Sequence, residues 1–328
     1  MKYLLLILIF LFSLYAQEEY TLGEGYQVGE LPMYVGGYFS LDYRKKDEQS
    51  RYRLDDIALL SYGGNDTISY LVELEFKEYY VHYNEDNISW STTDRRLYLE
   101  RLYFDYVFND ETQIRLGKFN SPIGLWNLVP INVLRETTSN PISTEIIFPQ
   151  YTTGVNLNYT RFDEGEFRLD LILQNNTPLD DEYNNYDIDK HYALGLNYEI
   201  NDFTYIFNTG YFAKREDYIG PHDFAYAQLS LGYESEQFEL LSEFGLQQSN
   251  EGDMNLAAYV QGVYRFTPEH IGILRLESYK DELTGLNDSF AVVGYTYRPL
   301  YPIALKSEYQ QHNRNSENKF IFSFSVLF

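Results

Sequence analysis

From about residue 33 to its last residue the chain returns to one pattern, an apolar side chain at every second position. In "TISYLVELEF", Ile68, Tyr70, Val72, Leu74 and Phe76 alternate with Ser69, Leu71, Glu73 and Glu75. In "EFRLDLILQ", Phe167, Leu169, Leu171 and Leu173 alternate with Arg168, Asp170 and Gln174, and "RLYFDYVF" sets Leu102, Phe104, Tyr106 and Phe108 against Arg101, Tyr103 and Asp105. Successive side chains of a strand point to opposite faces, so each segment has one greasy face and one wet face. No segment beyond residue 30 carries a helical period. The last ten residues, "KFIFSFSVLF", repeat the design, with Phe320, Phe322, Phe324, Val326 and Phe328 on one face and Lys319, Ile321, Ser323, Ser325 and Leu327 on the other.

The connections alternate in length. Starting from a first strand at about residues 33–43, seven are tight: "GGND", "NDET", "FDEGE", "IND", "ESEQ", "TPEH" and "RPLYP". The eight between them are long and polar: "RKKDEQSRYR", Glu78 to Arg96, Asn120 to Gln150, "NNTPLDDEYNNYDIDKH", "KREDYIGPHD", "QSNEGDMN", "KDELTGLND" and "QHNRNSENK". Fifteen connections join sixteen strands, most of about 9–11 residues, the length a tilted strand needs to cross a bilayer. In hydrocarbon an unpaired backbone N–H or C=O costs several kcal/mol, so an all-strand chain crosses only as a closed barrel. The fold class expected is all-β, a transmembrane antiparallel barrel over residues 33–328, with the last strand pairing to the first. The "RLDDIALLSY" strand is irregular, because Asp55 and Asp56 stand side by side where alternation allows one polar residue.

Composition agrees with a membrane barrel. The 34 Tyr and 22 Phe are too many for an ordinary soluble core and suit two interfacial girdles, where a Tyr ring is buried and its hydroxyl stays wet. Zero Cys closes disulfide, thiol and thiolate-metal chemistry. "MKYLLLILIFLFSLYAQEE" pairs one Lys with an apolar run short for a spanning helix and then Ala16, which reads as a secretory signal over residues 1–16, followed by a short periplasmic segment over 17–32. That segment is far too small for a plug domain.

A terminal Phe on an alternating aromatic strand resembles the recognition signal of bacterial outer-membrane barrels; the resemblance implies a Gram-negative outer membrane and the barrel-assembly machinery as a partner. "LGKFNSPIG" resembles the strand-exit motif of the phosphate-selective porin family and of related sixteen-stranded porins. After it, residues 120–150 hold Pro122, Pro130, Pro141 and Pro149, too much proline for a ladder, in a connection too long to stay unpacked. In porins the third long loop folds inward and narrows the channel. The resemblance thus implies a homotrimeric pore for passive diffusion of small hydrophilic solutes and ions, set in outer-membrane lipid and lipopolysaccharide.

An eyelet of this kind filters by charge. Its basic candidates are Arg101, Arg115, Lys118, Arg135 and Arg168; its acidic candidates are Glu73, Glu75, Asp105, Glu136 and Glu145. Opposed signs across the eyelet would orient dipolar solutes; alternatively, these groups pair with one another along the inner wall. Glu239, Glu243, Glu277 and Glu308 with Arg265, Arg275 and Lys306 fall on the remaining wall, and Trp126 with Tyr103 either offers sugars a greasy slide or packs the loop. The formal net charge of −24 argues against nucleic acid and against a phosphate pore, although much of it lies in loops such as Asp180, Asp181, Glu182, Asp187 and Asp189. His82, His191, His222, His270 and His312 lie outside any compact Ser or Asp motif, and no cofactor or metal signature is legible. A solute-specific channel for an oxyanion or sugar, a barrel hydrolase and a surface adhesin are the competing readings.

Overall fold

The computed structural model describes residues 22–85, 88–215, 220–314 and 317–328; the signal sequence read over 1–16 lies outside them. Sixteen antiparallel strands close into a barrel. In chain order they are β1 (Met33–Lys46), β2 (Gln49–Gly64), β3 (Ile68–Phe76), β4 (Tyr98–Asn109), β5 (Thr112–Asn120), β6 (Tyr151–Phe162), β7 (Glu166–Asn175) and β8 (Ile188–Ile200), then β9 (Phe203–Lys214), β10 (Asp223–Glu234), β11 (Phe238–Ser249), β12 (Met254–Arg265), β13 (His270–Asp281), β14 (Leu286–Leu300), β15 (Ile303–His312) and β16 (Lys319–Leu327). Closure is by β16 on β1, from Phe320 opposite Lys45 to Leu327 opposite Tyr38. The edge that a sheet leaves open is thereby paired.

Alternation decides which way each side chain faces. On β16, Phe320 and Phe322 are exposed on the outside, while Ile321, Ser323, Ser325 and Leu327 are buried inside. Phe328 lies just past the strand; its backbone N–H donates to the Gly37 carbonyl (2.7 Å), and its carbonyl accepts from the Gly37 N–H (2.8 Å). On β13, Leu274 and Leu276 are 52% and 56% exposed on either side of Arg275, which is 0% exposed. Outward aromatics flank the short turns, among them Phe108, Phe162, Phe203, Phe238, Tyr264 and Tyr301, and form one girdle. Leu274→Arg places a charge in this outward band and is expected to cost about 2–4 kcal/mol of stability in vesicle refolding with denaturant titration. A neutral result would place Leu274 outside the lipid band.

Two long connections are shorter than their sequence suggests. "RKKDEQSRYR" reads as a loop, yet β1 and β2 run through it to a two-residue turn at Asp47–Glu48, with the Tyr43 and Tyr52 rings tilted against each other, their centroids 4.6 Å apart. Above the bilayer both faces of a ribbon are wet, so the pairing leaves no apolar alternation to read. Within Glu78 to Arg96, a hairpin of Tyr80–Glu85 and Ile88–Thr92 extends the sheet along β2. The strands of the barrel are accordingly 9 to 16 residues long.

Among the register shifts of the barrel, two fall on charged doublets. Tyr38 pairs with Ala58 but Ser40 with Asp55, so β2 carries an extra residue, and Asp56 takes a left-handed backbone with φ 48°. The adjacent Asp55 and Asp56 side chains both reach the inside by this device, which accounts for the break in alternation. On β4, Arg101 pairs with Glu73 and Leu99 with Leu74, which makes Glu100 the extra residue. Glu100 and Arg101 are both buried on the inner face.

Candidate functional site: the lumen and its inward loop

The connection between β5 and β6 folds into the barrel. It contains two short turns of 3-10 helix, Trp126–Leu128 and Asn132–Leu134, and a five-residue helix, Ile142–Ile146, in a region where the sequence shows no helical period. Its apolar side chains choose two patches of the inner wall. Ile123, Ile147 and Phe148 pack with Ile172, Ile188, Phe212, Phe224, Tyr226 and Ala257. Val133 packs with Tyr38, Ala58, Leu60, Ala304 and Leu327. Full burial of one such side chain contributes roughly 1.5–3 kcal/mol, and these patches explain why some inward positions are apolar.

Polar groups of the far wall, from β9 to β16, satisfy the loop backbone. Asn208 accepts from Gly124 N–H at 3.0 Å, and Glu243 accepts from Leu125 N–H. Gln247 donates to the carbonyls of Ile146 and Ile147, and Glu277 accepts from Ile142 N–H at 2.9 Å. Glu308 accepts from the Thr138 and Ser139 N–H groups, while Lys306 donates to the Asn132 carbonyl. Arg298 donates to the carbonyls of Val133 and Arg135 and pairs with Glu136 at 3.2 Å. A loop without its own ladder needs such partners to be buried.

Fastened to the far wall, the loop leaves open space against β1 to β7. Toward the long-loop end lies a cavity of about 210 Å³ whose charged lining is Asp55, Asp56, Glu75 and Glu100 with Arg53 and Arg135. Toward the short-turn end lies one of about 470 Å³, lined by Arg101, Arg115 and Arg168 with Glu166. Asn120 and Pro130 line both, so the two adjoin. Carboxylates outnumber guanidiniums in the first, and the balance reverses in the second. A solute passing between them would meet an acidic and then a basic wall.

The ten charged residues singled out in the sequence take different places. Arg101, Arg115 and Arg168 line the lower cavity, and Glu75 and Arg135 the upper one. Glu73 and Asp105 are buried counter-ions, of Arg101 and of Arg115, the latter held by two hydrogen bonds of 2.7 and 2.9 Å. Lys118 is fully buried and donates to the backbone carbonyls of Leu99 (2.9 Å) and Asp180 (2.6 Å). Glu136 pairs with Arg298, and Glu145 accepts from Asn140 at 2.7 Å, so both serve the fold of the loop. Trp126 is 5% exposed, close to the Arg135 and Arg275 guanidiniums at 5.4 and 5.5 Å, and lines the upper cavity.

Sequence reasoning passed over Glu100, Asp55, Asp56 and Arg53, along with Tyr38, Tyr151 and Tyr183. The signal for the carboxylates was present in the charged doublets Asp55–Asp56 and Glu100–Arg101, each marking a bulge. Tyr183 comes from the connection after β7. Burial, and then the negative charge of Glu75, Glu100 and Asp56, push its hydroxyl well above the usual value, so it stays protonated.

No known family matches the chain by sequence, and no curated protein does. Solved structures match it in fold. Salmonella typhi OmpF, solved with daunomycin, aligns with a TM-score of 0.65 over 90% of this chain and 97% of that one, at 10% identity. The anion-selective porin from Comamonas acidovorans gives 0.61 over 90% and 99%, at 10% identity. OmpT, an outer-membrane protein of Vibrio cholerae in its trimer form, gives 0.58 over 90% and 99%, at 11% identity. The chain has the sixteen-stranded fold of outer-membrane porins.

Proposed function

We propose that this protein is an outer-membrane porin through which small hydrophilic solutes and ions diffuse down their gradients. The observation that carries the reading is the pair of adjoining charged cavities left open between the inward loop and β1 to β7. It works without catalysis. Its histidines have structural partners: His191 is held between Thr152 Oγ1 (2.9 Å) and Tyr226 Oη (2.8 Å), and His312 meets Asp288 at 2.8 Å. The functional unit is a homotrimer, as in the trimer form of the Vibrio cholerae structure. Its last strand is presented to the barrel-assembly machinery, and its loops face lipopolysaccharide.

The eyelet is formed by Arg101, Arg115, Arg168 and Arg135 against Glu75 and the carboxylates beside it. Arg115 stands 3.9 Å over the Tyr103 ring and neutralises Asp105. Arg115→Ala therefore removes a positive charge from the lower cavity and exposes a negative one. The expected result is a reversal potential shifted toward cations in a KCl gradient, with a smaller shift for Arg135→Ala. An unchanged reversal potential in both variants would remove these residues from the ion path.

A further inference from the structure

Glu73 and Glu75 on β3 and Glu100 on β4 converge on the inner wall, each offering one carboxylate oxygen, and the three atoms lie within 4.8 Å of one another. The residues are 0%, 1% and 5% exposed. Only the bulge at Glu100 turns that side chain inward beside Arg101.

Their contacts do not balance in protons. Tyr38 Oη lies 2.6 Å from Glu73 Oε1 and 3.1 Å from both Glu75 Oε2 and Glu100 Oε2. A phenol has one proton, so it can donate in one of these contacts, and the other two bring oxygen against oxygen. Tyr151 donates to Glu100 Oε1 at 2.6 Å, and Arg101 donates to Glu73 Oε2. Oε1 of Glu75 is buried with no hydrogen-bond partner. Glu73 thus has a counter-ion; for Glu75 and Glu100 none forms a salt bridge among the described residues. A buried carboxylate left so is neutralised, either by a proton shared with a neighbouring carboxyl or by a bound cation. Glu75, Glu100, Tyr38 and Tyr151 all line the upper cavity, so a hydrated ion can reach them from the lumen.

We propose that Glu73, Glu75 and Glu100 bind one hard divalent cation of the calcium type, with Glu75 Oε1 as the ligand atom that no protein group shares. Three carboxylates and no nitrogen or sulfur donor suit such an ion, which takes oxygen ligands at about 2.3–2.6 Å and accepts irregular geometry. Water from the cavity completes its shell. The bound ion ties β3 to β4, and through Tyr38 to β1, and it cancels the excess negative charge of the upper cavity. The filter that solutes meet then depends on the divalent cation present. The sequence hides this site because its third ligand is turned inward by a register shift.

The test is calcium titration calorimetry on the refolded full barrel in detergent, independent of any conduction. The wild type is expected to show a saturable calcium site that Glu75→Gln weakens about tenfold or more, and that Asp181→Asn in an acidic loop leaves in place. Terbium ions in the same site are expected to luminesce through the adjacent tyrosines, and Tyr38→Phe is expected to lower that emission while all three carboxylates still bind. Identical isotherms for wild type and Glu75→Gln, or proton uptake without calcium binding, would overturn the proposal. If Glu75→Gln lacks the heat-modifiable band of a folded barrel, Glu100→Gln is read in the same way. Terbium emission indifferent both to Tyr38→Phe and to Tyr151→Phe would place the ion elsewhere and also overturn it.

Discussion

Arg275→Met is expected to free the inward loop and to destabilise the barrel by about 3–5 kcal/mol, the cost of leaving a buried charge partner alone. The guanidinium is 0% exposed and spends its donors on both the wall and the loop. Nε donates to Glu277 Oε1 at 2.6 Å, Nη1 to Thr137 Oγ1 and the Ser139 carbonyl at 3.0 Å each, and Nη2 to Ser139 Oγ at 2.8 Å. Lysine cannot replace it, because one ammonium lacks the planar fork that reaches all of these acceptors. Denaturant titration in vesicles measures the stability. Trypsin reports on the loop, since Arg135 sits in the lumen of the wild type and should be cut readily in the variant. A variant as stable and as resistant as the wild type would contradict the assignment of Arg275 as the fastener.

Gly37→Val is expected to abolish barrel closure. A Cβ at Gly37 would stand 2.3 Å from the Ala58 carbonyl oxygen and 3.0 Å from the Phe328 ring, and a Cβ at the neighbouring Gly36 would stand 2.5 Å from the Phe328 carbonyl oxygen. The seam between the last strand and the first is therefore built on two residues without side chains. No shift of a flexible side chain relieves the Ala58 contact, because it is with backbone. Gly262→Ala is the control: there a Cβ would meet the Phe238 ring at 3.7 Å, an ordinary contact. Unboiled gel electrophoresis separates the outcomes, with a heat-modifiable band for Gly262→Ala and none for Gly37→Val. A folded Gly37→Val barrel would show that the seam tolerates displacement of β16.

What the sequence made legible follows from where the bilayer acts. Lipid imposes one apolar face on every spanning strand, so segments such as Phe167 to Leu173 declare both their structure and their orientation. Water imposes no such face, and the ribbon from Tyr43 to Tyr52 was hidden for that reason. The inward loop was legible from its four prolines and its length. Its route was not, because the groups that hold it, including Asn208, Arg275, Arg298, Lys306 and Glu308, lie up to 174 residues from their partners in the loop, on strands that look alike. Of the charged site, Arg101, Arg115 and Arg168 could be read by parity from their strands. Parity fails at a bulge, and there the acidic wall of Asp55, Asp56 and Glu100 was missed.

The bulges also place function on the fold. A regular ladder would send every second residue of β2 and β4 outward, and Asp56 or Glu100 would face outward, where burial of a charge in lipid is destabilising. Inserting one residue turns two adjacent polar side chains inward. The acidic doublet on β2 and the Glu–Arg doublet on β4 then face the same cavity region, across β3 with its Glu73 and Glu75. The concentration of charge beside the loop is thus a consequence of local register.

The most direct test of the whole account is single-channel recording of the refolded mature chain in a planar bilayer under a KCl gradient. A stable open current from a folded, heat-modifiable barrel is the predicted result, because the inward loop leaves adjoining cavities open along β1 to β7. A folded barrel that carries no current would contradict the pore and return the chain to the readings of surface adhesin or barrel enzyme.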